Sequence, residues 1–432
     1  MTEKPAKKNV FKKFLKILGP GVITGAADDD PSGIATYSQT GAQFGYGQLW
    51  VVLFTLPLMT AIQEACARIG EVTGKGIVAN IKEHYDRKVV LAVVSLVLIA
   101  NTINIGADIG AMAAAARLII PIPFAILALF FTALILTLEI FTSYKVYSRI
   151  LKWLAISLLS YLIAVFIINV PWLEVVKATF VPHFEFSFAF LFLITGVIGT
   201  TISPYMFFWE ANEEVEEEKE KGFLVKGGRP KVSWRQIREM RWDNFAGMLS
   251  SNIVSWAIIV TTATTLHANG VVNINTSADA ARALEPLVNT FPNAGLIAKL
   301  IFTVGIIGLG LLAIPVLSAS ASYAVSEAFD WRASLNYKLK KAHGFYGVIT
   351  IATLIGLMIN FIGIDPVKAL VITAVINGVV AVPLIFIIGK IANDKKIMGE
   401  YRSGTLSNIF VWLTFICMAA AAIAMFYALF VK

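Results

Sequence analysis

The sequence predicts an all-α integral membrane protein of eleven transmembrane helices, built as an inverted repeat whose first and sixth helices are broken. Three observations carry this expectation. The 432 residues are 57% hydrophobic and only 15% charged, too apolar for a water-soluble domain and long enough for about ten or eleven spans of ~20 residues. Two apolar segments, GPGVITGAADDDPSGIATYSQTGAQFGY and FLITGVIGTTISPYMFFWEA, carry proline beside small or acidic residues at their centres. Lysine and arginine are distributed very unevenly between the two sides that an eleven-span count defines.

The first span is placed at 17–44 and breaks where Asp30 meets Pro31, since proline removes a backbone donor and Gly33 follows closely. Spans at 47–72, 89–116, 123–142 and 147–170 complete the first repeat. The sixth span, 186–211, breaks at Ser203–Pro204 and opens the second repeat, followed by 243–268, 296–325, 345–363 and 367–389. Five is an odd number, so the second repeat enters the membrane from the opposite side, which puts a binding site at midplane between the two breaks. The repeat rests on the position of the breaks alone. A final span at 407–431 lies outside it. Residues 1–16 then form a cytoplasmic basic tail and 17–432 a single transmembrane domain, divided into 17–170, 186–389 and 407–431.

With the N-terminus inside, about 30 of the 36 basic residues fall on the cytoplasmic side. Only Arg117, Lys177, Arg282, Lys299, Lys368 and Lys432 fall outside. The expected location is the cell inner (plasma) membrane, multi-pass, with a cytoplasmic N-terminus and an external C-terminus. The net charge of +8 reflects this topology and calls for no nucleic-acid partner. The basic start lacks a small-residue cleavage site, so the first span is expected to be retained. Cys66 and Cys417 both fall within spans, which offers neither a disulfide framework nor a thiolate metal cluster. The longest polar insert, ANEEVEEEKEKGFLVKGGRPKVSWRQIREMRW, reads as a solvated helix extension and a flexible GGRP turn in preference to a regulatory metal sensor. The outer loop HANGVVNINTSADAARALEPLVN is expected to hold a short helix; its NTS has the form of a glycosylation sequon.

A span with an unwound centre exposes backbone groups at membrane depth, which is tolerated only where they line a cavity or coordinate something. Asp28, Asp29 and Asp30 stand at the first break, and intramembrane carboxylates mark ion pathways. Hard divalent cations favour such oxygen ligands. Asp30, beside Pro31, is the main candidate; capping of the restarted helix is the alternative. Asp28 and Asp29 point around other sides of the turn, to pair with a basic group or line the entry. In the sixth span Thr200 offers a carbonyl and Ser203 a hydroxyl, although either can simply repair a proline kink. Asp108 is a residual proton site or an interhelical hydrogen-bonding group. Glu64 and Arg68 form an i,i+4 pair near the inner end of the second span.

The segments GPG, DPSGIATYSQTGAQFGYGQLW, QEACARIGEVTGKGI and KKIMGEY, in that order, resemble landmarks of the natural resistance-associated macrophage protein (Nramp) family of divalent-metal transporters. The resemblance covers most of the chain and implies the leucine-transporter type of fold, with alternating access around an ion held between broken spans one and six. Two departures matter. The family usually reads Asp-Pro-Gly-Asn where this chain has Asp30-Pro31-Ser32-Gly33, and has methionine where this chain has Ser203. A thioether suits Mn²⁺ and Fe²⁺; an all-oxygen, roomier site suits Mg²⁺, which keeps several waters. The chain thus resembles the magnesium-transporting branch.

The resemblance implies Asp30, Gly33, Thr200 and Ser203 as metal-site residues, with Asp29, Asn377, Asp108 and Tyr205 as secondary candidates. Proton-coupled relatives carry two histidines after the sixth-span proline, where this chain has Tyr205 and Glu210, and an acidic pair in span three, matched by Asn104 and Ala107. None of His84, His183, His267 and His343 is expected at mid-membrane. The expected function is therefore Mg²⁺ and Mn²⁺ transport without proton coupling, the alternative being a proton-coupled Mn²⁺/Fe²⁺ symporter. An amino-acid carrier is disfavoured by the three aspartates. An intramembrane hydrolase lacks its motifs, and the broken spans favour a carrier over a channel. No enzymatic activity and no cofactor are expected; the partners are the transported ion and the lipid bilayer, and the chain is expected to act as a monomer.

Overall fold

The computed structural model describes residues 25, 27–142, 159–222, 224, 230–289 and 291–430. The expected basic tail 1–16, the opening of the first span and the start of the fifth lie outside these residues. What is described is helical, with several helix starts and stops written in local chemistry. Helix α1 (Pro31–Phe44) begins with proline at its first position and Asp30 as N-cap, and ends at Gly45, whose φ is 55°. Helix α2 (Leu49–Thr73) stops at Gly74 in the left-handed conformation, whose N–H closes on the Gly70 carbonyl. A short α3 (Ile77–His84), α4 (Arg87–Ala116), α5 (Phe124–Phe141), α6 (Leu159–Ile167) and α7 (Trp172–Phe180) follow.

The sixth span is two helices, α8 (Phe188–Thr201) and α9 (Pro204–Lys221). Helix α10 (Trp234–Thr265) starts from a Ser233/Gln236 capping box. In the outer loop, α11 (Ser277–Arg282) starts from a second box between Thr276 and Asp279, the short helix expected there. Helix α12 (Ala294–Ala328), α13 (His343–Ile359), α14 (Pro366–Asn393), α15 (Lys395–Met398) and α16 (Thr405–Phe430) complete the described chain. Asp365 caps α14 by accepting from the backbone N–H groups of Val367 and Lys368.

Eight of these segments are long and apolar enough to cross a membrane, and α13 is a shorter apolar helix. α1 and α6 are the described parts of the first and fifth spans. The eleven expected positions therefore all carry helix, eight of them at full crossing length.

Burial orders the spans. The α8–α9 span is almost wholly enclosed, whereas α5 and α16 turn most of their surface outward. Phe130, Phe141, Ile423 and Phe430 are exposed on these outer helices, as side chains facing lipid would be. α1 lies inside, packed against α10, α14, α8 and α4. The two interrupted segments are thus adjacent at the centre, with the other helices around them.

One expectation fails. The acidic stretch after the sixth span is a helix extension through Lys221, but it is not a solvated one. Glu210, Asn212, Glu214, Glu216 and Glu218 are buried, because α9 packs along α2 and α12 for its length. Most of the GGRP turn lies outside the described residues. Pro230, its last residue, is buried where Gly74 approaches it. Cys66 and Cys417 are free thiols in α2 and α16.

Candidate metal site

At the first break, Ala27 and Asp28 are helical, Asp29 bends and Asp30 is extended with φ −67° and ψ 171°. Pro31 cannot donate backward, so the helix restarts there. Asp30 is 1% exposed. Its Oδ1 accepts from the Gly33 N–H at 2.8 Å and the Ser32 hydroxyl at 2.6 Å. Its Oδ2 accepts from Asn104 Nδ2 on α4 at 2.9 Å. The capping role that the sequence left as the alternative is therefore realised, by one oxygen only; the other faces across to a neighbouring helix.

At the second break, α8 ends at Thr201, Ile202 turns the chain, and Ser203 precedes Pro204 at the start of α9. The Ser203 hydroxyl donates toward the carbonyls of Thr200 at 2.6 Å and Gly199 at 3.1 Å. It repairs carbonyls freed by the break, as serine beside a kink commonly does. The Thr200 hydroxyl is buried with no hydrogen-bond partner among the described residues. A β-carbon at Gly33 would lie 3.2 Å from that hydroxyl and 3.6 Å from Asp30 Oδ1. Glycine at 33 thus lets the two breaks close on each other, and Tyr37 adds a bridge from its hydroxyl to Thr201 Oγ1 at 2.9 Å.

Two further helices complete a polar layer. Asn104 also donates to Asp108 Oδ2 at 3.3 Å, and its own carbonyl accepts from Asn377 Nδ2 on α14 at 3.2 Å. Asn377 is held there because α8 and α14 meet through glycines. A β-carbon at Gly378 would fall 2.6 Å from the Thr195 carbonyl, and one at Gly199 would fall 2.6 Å from Gly378 Cα. Asp108 is fully buried and its Oδ1 has no partner among the described residues. Asn104 is the hub that sequence reading missed as a site residue. The available signal was the recurrence of Asn101, Asn104 and Asp108 along one face of an otherwise apolar helix.

The remaining candidates point elsewhere. Asp28 Oδ2 and Asp29 Oδ1 share the Ser251 hydroxyl of α10, at 3.0 and 3.2 Å, and Ser255 approaches Asp29 at 3.4 Å. Asp29 is thus turned toward α10 and away from Asn104. The Tyr205 hydroxyl donates to the Ala27 carbonyl at 3.1 Å, tying the second break to the turn before the first. The structure thereby brings Asp30, Gly33 and Thr200 together, with Ser203 joined through the Thr200 carbonyl, and adds Asn104, Asp108 and Asn377. These groups are carboxylates, hydroxyls, amides and carbonyls. Among the described residues, no three His, Cys, Asp or Glu side chains gather as a metal cluster. An ion here would rest on the Asp30 carboxylate, supplemented by neutral oxygens and its own water.

The family model described as natural resistance-associated macrophage protein-like matches residues 21–428. The chain belongs to the Nramp family. Among solved structures, this Nramp chain is similar to a manganese transporter of Eremococcus coleocola, crystallised with an aromatic bis-isothiourea compound. The identity is 15% over 99% of this chain and 90% of that one, with a TM-score of 0.76. MhsT in complex with L-phenylalanine matches at 13% identity, TM-score 0.60, over 95% of this chain and 98% of that one. Mhp1, a nucleobase-cation-symport-1 transporter in a closed conformation, matches at 14% identity, TM-score 0.57, over 95% and 90%. At such identities the likeness speaks for fold. This Nramp chain is an all-helical, multi-pass membrane protein of the leucine-transporter type, as its broken spans imply.

Proposed function

We propose that this Nramp chain carries Mg²⁺, and Mn²⁺ beside it, across the plasma membrane by alternating access and without proton coupling. Family membership supports divalent-metal transport in general, and one structural relative is a manganese transporter. The choice of Mg²⁺ is carried by one observation: the groups converging on Asp30 are oxygens and amides, with Ser203 at the position where the family resemblance implies a thioether. A soft sulfur ligand favours transition ions, and its replacement by hydroxyl removes that advantage. Mg²⁺ demands octahedral oxygen coordination and gives up its water reluctantly, so one carboxylate among neutral oxygens is enough to hold a partly hydrated ion.

Within this reading Asp30, Gly33, Thr200 and Ser203 form the ion site. Asn104 orients the outer oxygen of Asp30, and Asn377 and Asp108 extend the polar layer that water would share with the ion. An anionic cargo fits poorly, because the α1 N-terminus that would attract it already carries the Asp30 carboxylate. Proton coupling is disfavoured because the matched histidine and acidic positions are Tyr205, Glu210, Asn104 and Ala107. His183 and His267 line a separate cavity beside Gly45, where the His267 ring meets the Ala42 carbonyl at the end of α1 opposite Asp30.

The test is a flux assay in liposomes containing the purified full chain, with Mg²⁺ and Mn²⁺ reporters and a pH reporter inside. Uptake of both ions with no ion-driven acidification at zero membrane potential is expected. Strong Mn²⁺ selectivity with no response to millimolar Mg²⁺ would refute the cargo, and robust acidification would refute the uncoupled mechanism.

A further inference from the structure

The half of the first span that precedes the break carries a carbonyl its own helix cannot satisfy. Ala27 is helical and buried, and its carbonyl would ordinarily accept from the N–H four residues on. That residue is Pro31, which has none. The donor comes from across the site, where the Tyr205 hydroxyl of α9 reaches the Ala27 oxygen at 3.1 Å. A carbonyl at membrane depth is satisfied by a protein donor or by water lining a cavity. Tyr205 supplies the first of these only while the two segments touch.

Tyr205 is itself firmly placed. It is fully buried, its own carbonyl accepts from Ser320 Oγ of α12 at 2.8 Å, and it shares a buried apolar cluster with Ala27, with Ile105 and Ile109 of α4, and with Trp209 of α9. The same half-span also presses on α10, where a β-carbon at Gly25 would fall 2.4 Å from the Gly247 carbonyl. With Asp30 only 1% exposed, the site is shut on this side. Tyr205 stands two residues beyond Ser203 and about a turn and a half before the buried Glu210. It therefore lies between the ion site and the acidic run of α9, on the side that the lysine and arginine distribution makes cytoplasmic.

We propose that Tyr205 is the latch of the cytoplasmic gate: its hydroxyl holds the half-span before the break closed beneath Asp30, and the site opens to that side when the Ala27 carbonyl exchanges this hydroxyl for water. The hinge is the bend at Asp29 and the extended backbone of Asp30. The hydroxyl proton is committed to Ala27, so Tyr205 acts through the position of the half-span and is a positioning residue, set apart from the groups that would touch the ion. Removing the hydroxyl leaves the Ala27 carbonyl unsatisfied in the shut state and hydrated in the open one, which shifts the population toward opening. The inference rests on the alternating-access reading and is independent of which metal the protein carries.

The test places a thiol at the site and asks from which face it is reached. In the full chain with the free thiols of Cys66 and Cys417 replaced by alanine, Ser203→Cys is labelled by a membrane-impermeant thiol reagent in vesicles of either orientation, with and without Tyr205→Phe. Tyr205→Phe should speed labelling from the cytoplasmic face about fivefold, the factor that one net hydrogen bond supplies, and leave labelling from the outer face unchanged. Calorimetric affinity for Mg²⁺ and Mn²⁺, measured in Tyr205→Phe alone, should stay within twofold of the parent. Unchanged labelling, or an equal rise from both faces as a merely loosened fold would give, would overturn the latch. So would a tenfold loss of ion affinity, which would make the hydroxyl a ligand. A probe labelled from one face only in the parent, whether or not the ion is present, would instead refute alternating access, and the change made by Tyr205→Phe would still decide the latch.

Discussion

Replacing Asp30 by asparagine separates the two jobs this side chain holds. As an N-cap, asparagine is about as good as aspartate, so α1 should still start at Pro31 and Gly33 should keep its acceptor. The new amide would meet the Asn104 amide where Oδ2 now accepts at 2.9 Å, and relieving that donor–donor contact by flipping Asn104 gives up its bonds to Asp108 and Asn377, at about 1 kcal/mol each. The ion loses more. A unit charge pair at 4 Å and an effective dielectric of about 20 is worth roughly 4 kcal/mol, and a divalent ion doubles the Coulomb term before desolvation offsets part of it. Taking about 4 kcal/mol as the net loss, Mg²⁺ affinity should fall roughly a thousandfold. Isothermal titration and Mg²⁺ uptake into liposomes should both drop to background, while the thermal midpoint falls only by the few degrees that the Asn104 rearrangement costs. Uptake retained in Asp30→Asn would mean that Asp30 is a cap and nothing more, and the metal site as argued would be wrong.

Three further substitutions test the surrounding argument. Ser203→Met restores a thioether at the second break and should raise the Mn²⁺ over Mg²⁺ preference in competition uptake; an unchanged ratio would remove sulfur as the selecting feature. Gly378→Ala puts a β-carbon 2.6 Å from the Thr195 carbonyl, a backbone group that cannot rotate away. It should lower stability by about 1–3 kcal/mol and reduce uptake by displacing Asn377, readable as a drop in thermal midpoint together with slower flux. Glu64→Ala leaves the fully buried Arg68 without its carboxylate and should cost about 3–5 kcal/mol, seen in thermal melting; a shift too small to measure would indicate that water already solvates that guanidinium.

Much of this architecture is legible in the chain itself. Pro31 and Pro204 each follow a polar residue, Asp30 and Ser203, that stands as N-cap of the restarted helix, so the two breaks follow from local chemistry, and their offset of five spans follows from hydropathy. The cap chemistry of Asp30, Ser233, Thr276 and Asp365 is equally local, and each of these helices starts where its cap demands. The Glu64–Arg68 pair needs only a helical turn. What lay beyond reach was every relation between segments. Asn104 reads as a departure from an acidic pair, and only the approach of α4 to the first break makes it the donor that fixes Asp30. The glutamates of α9 read as solvated because charge near a membrane end ordinarily is; their burial comes from α2 and α12, far away in sequence.

By itself, then, the amino-acid order determined a bilayer-spanning helical carrier interrupted twice, with carboxylate chemistry at one interruption, since these properties arise from backbone donors, proline geometry and hydropathy acting within a few residues. Which oxygens actually converge was decided by tertiary structure. Asp28 and Asp29 turn to α10 and share Ser251, while Asp30 turns to α4, because the last step around the turn aims its side chain at a different helix.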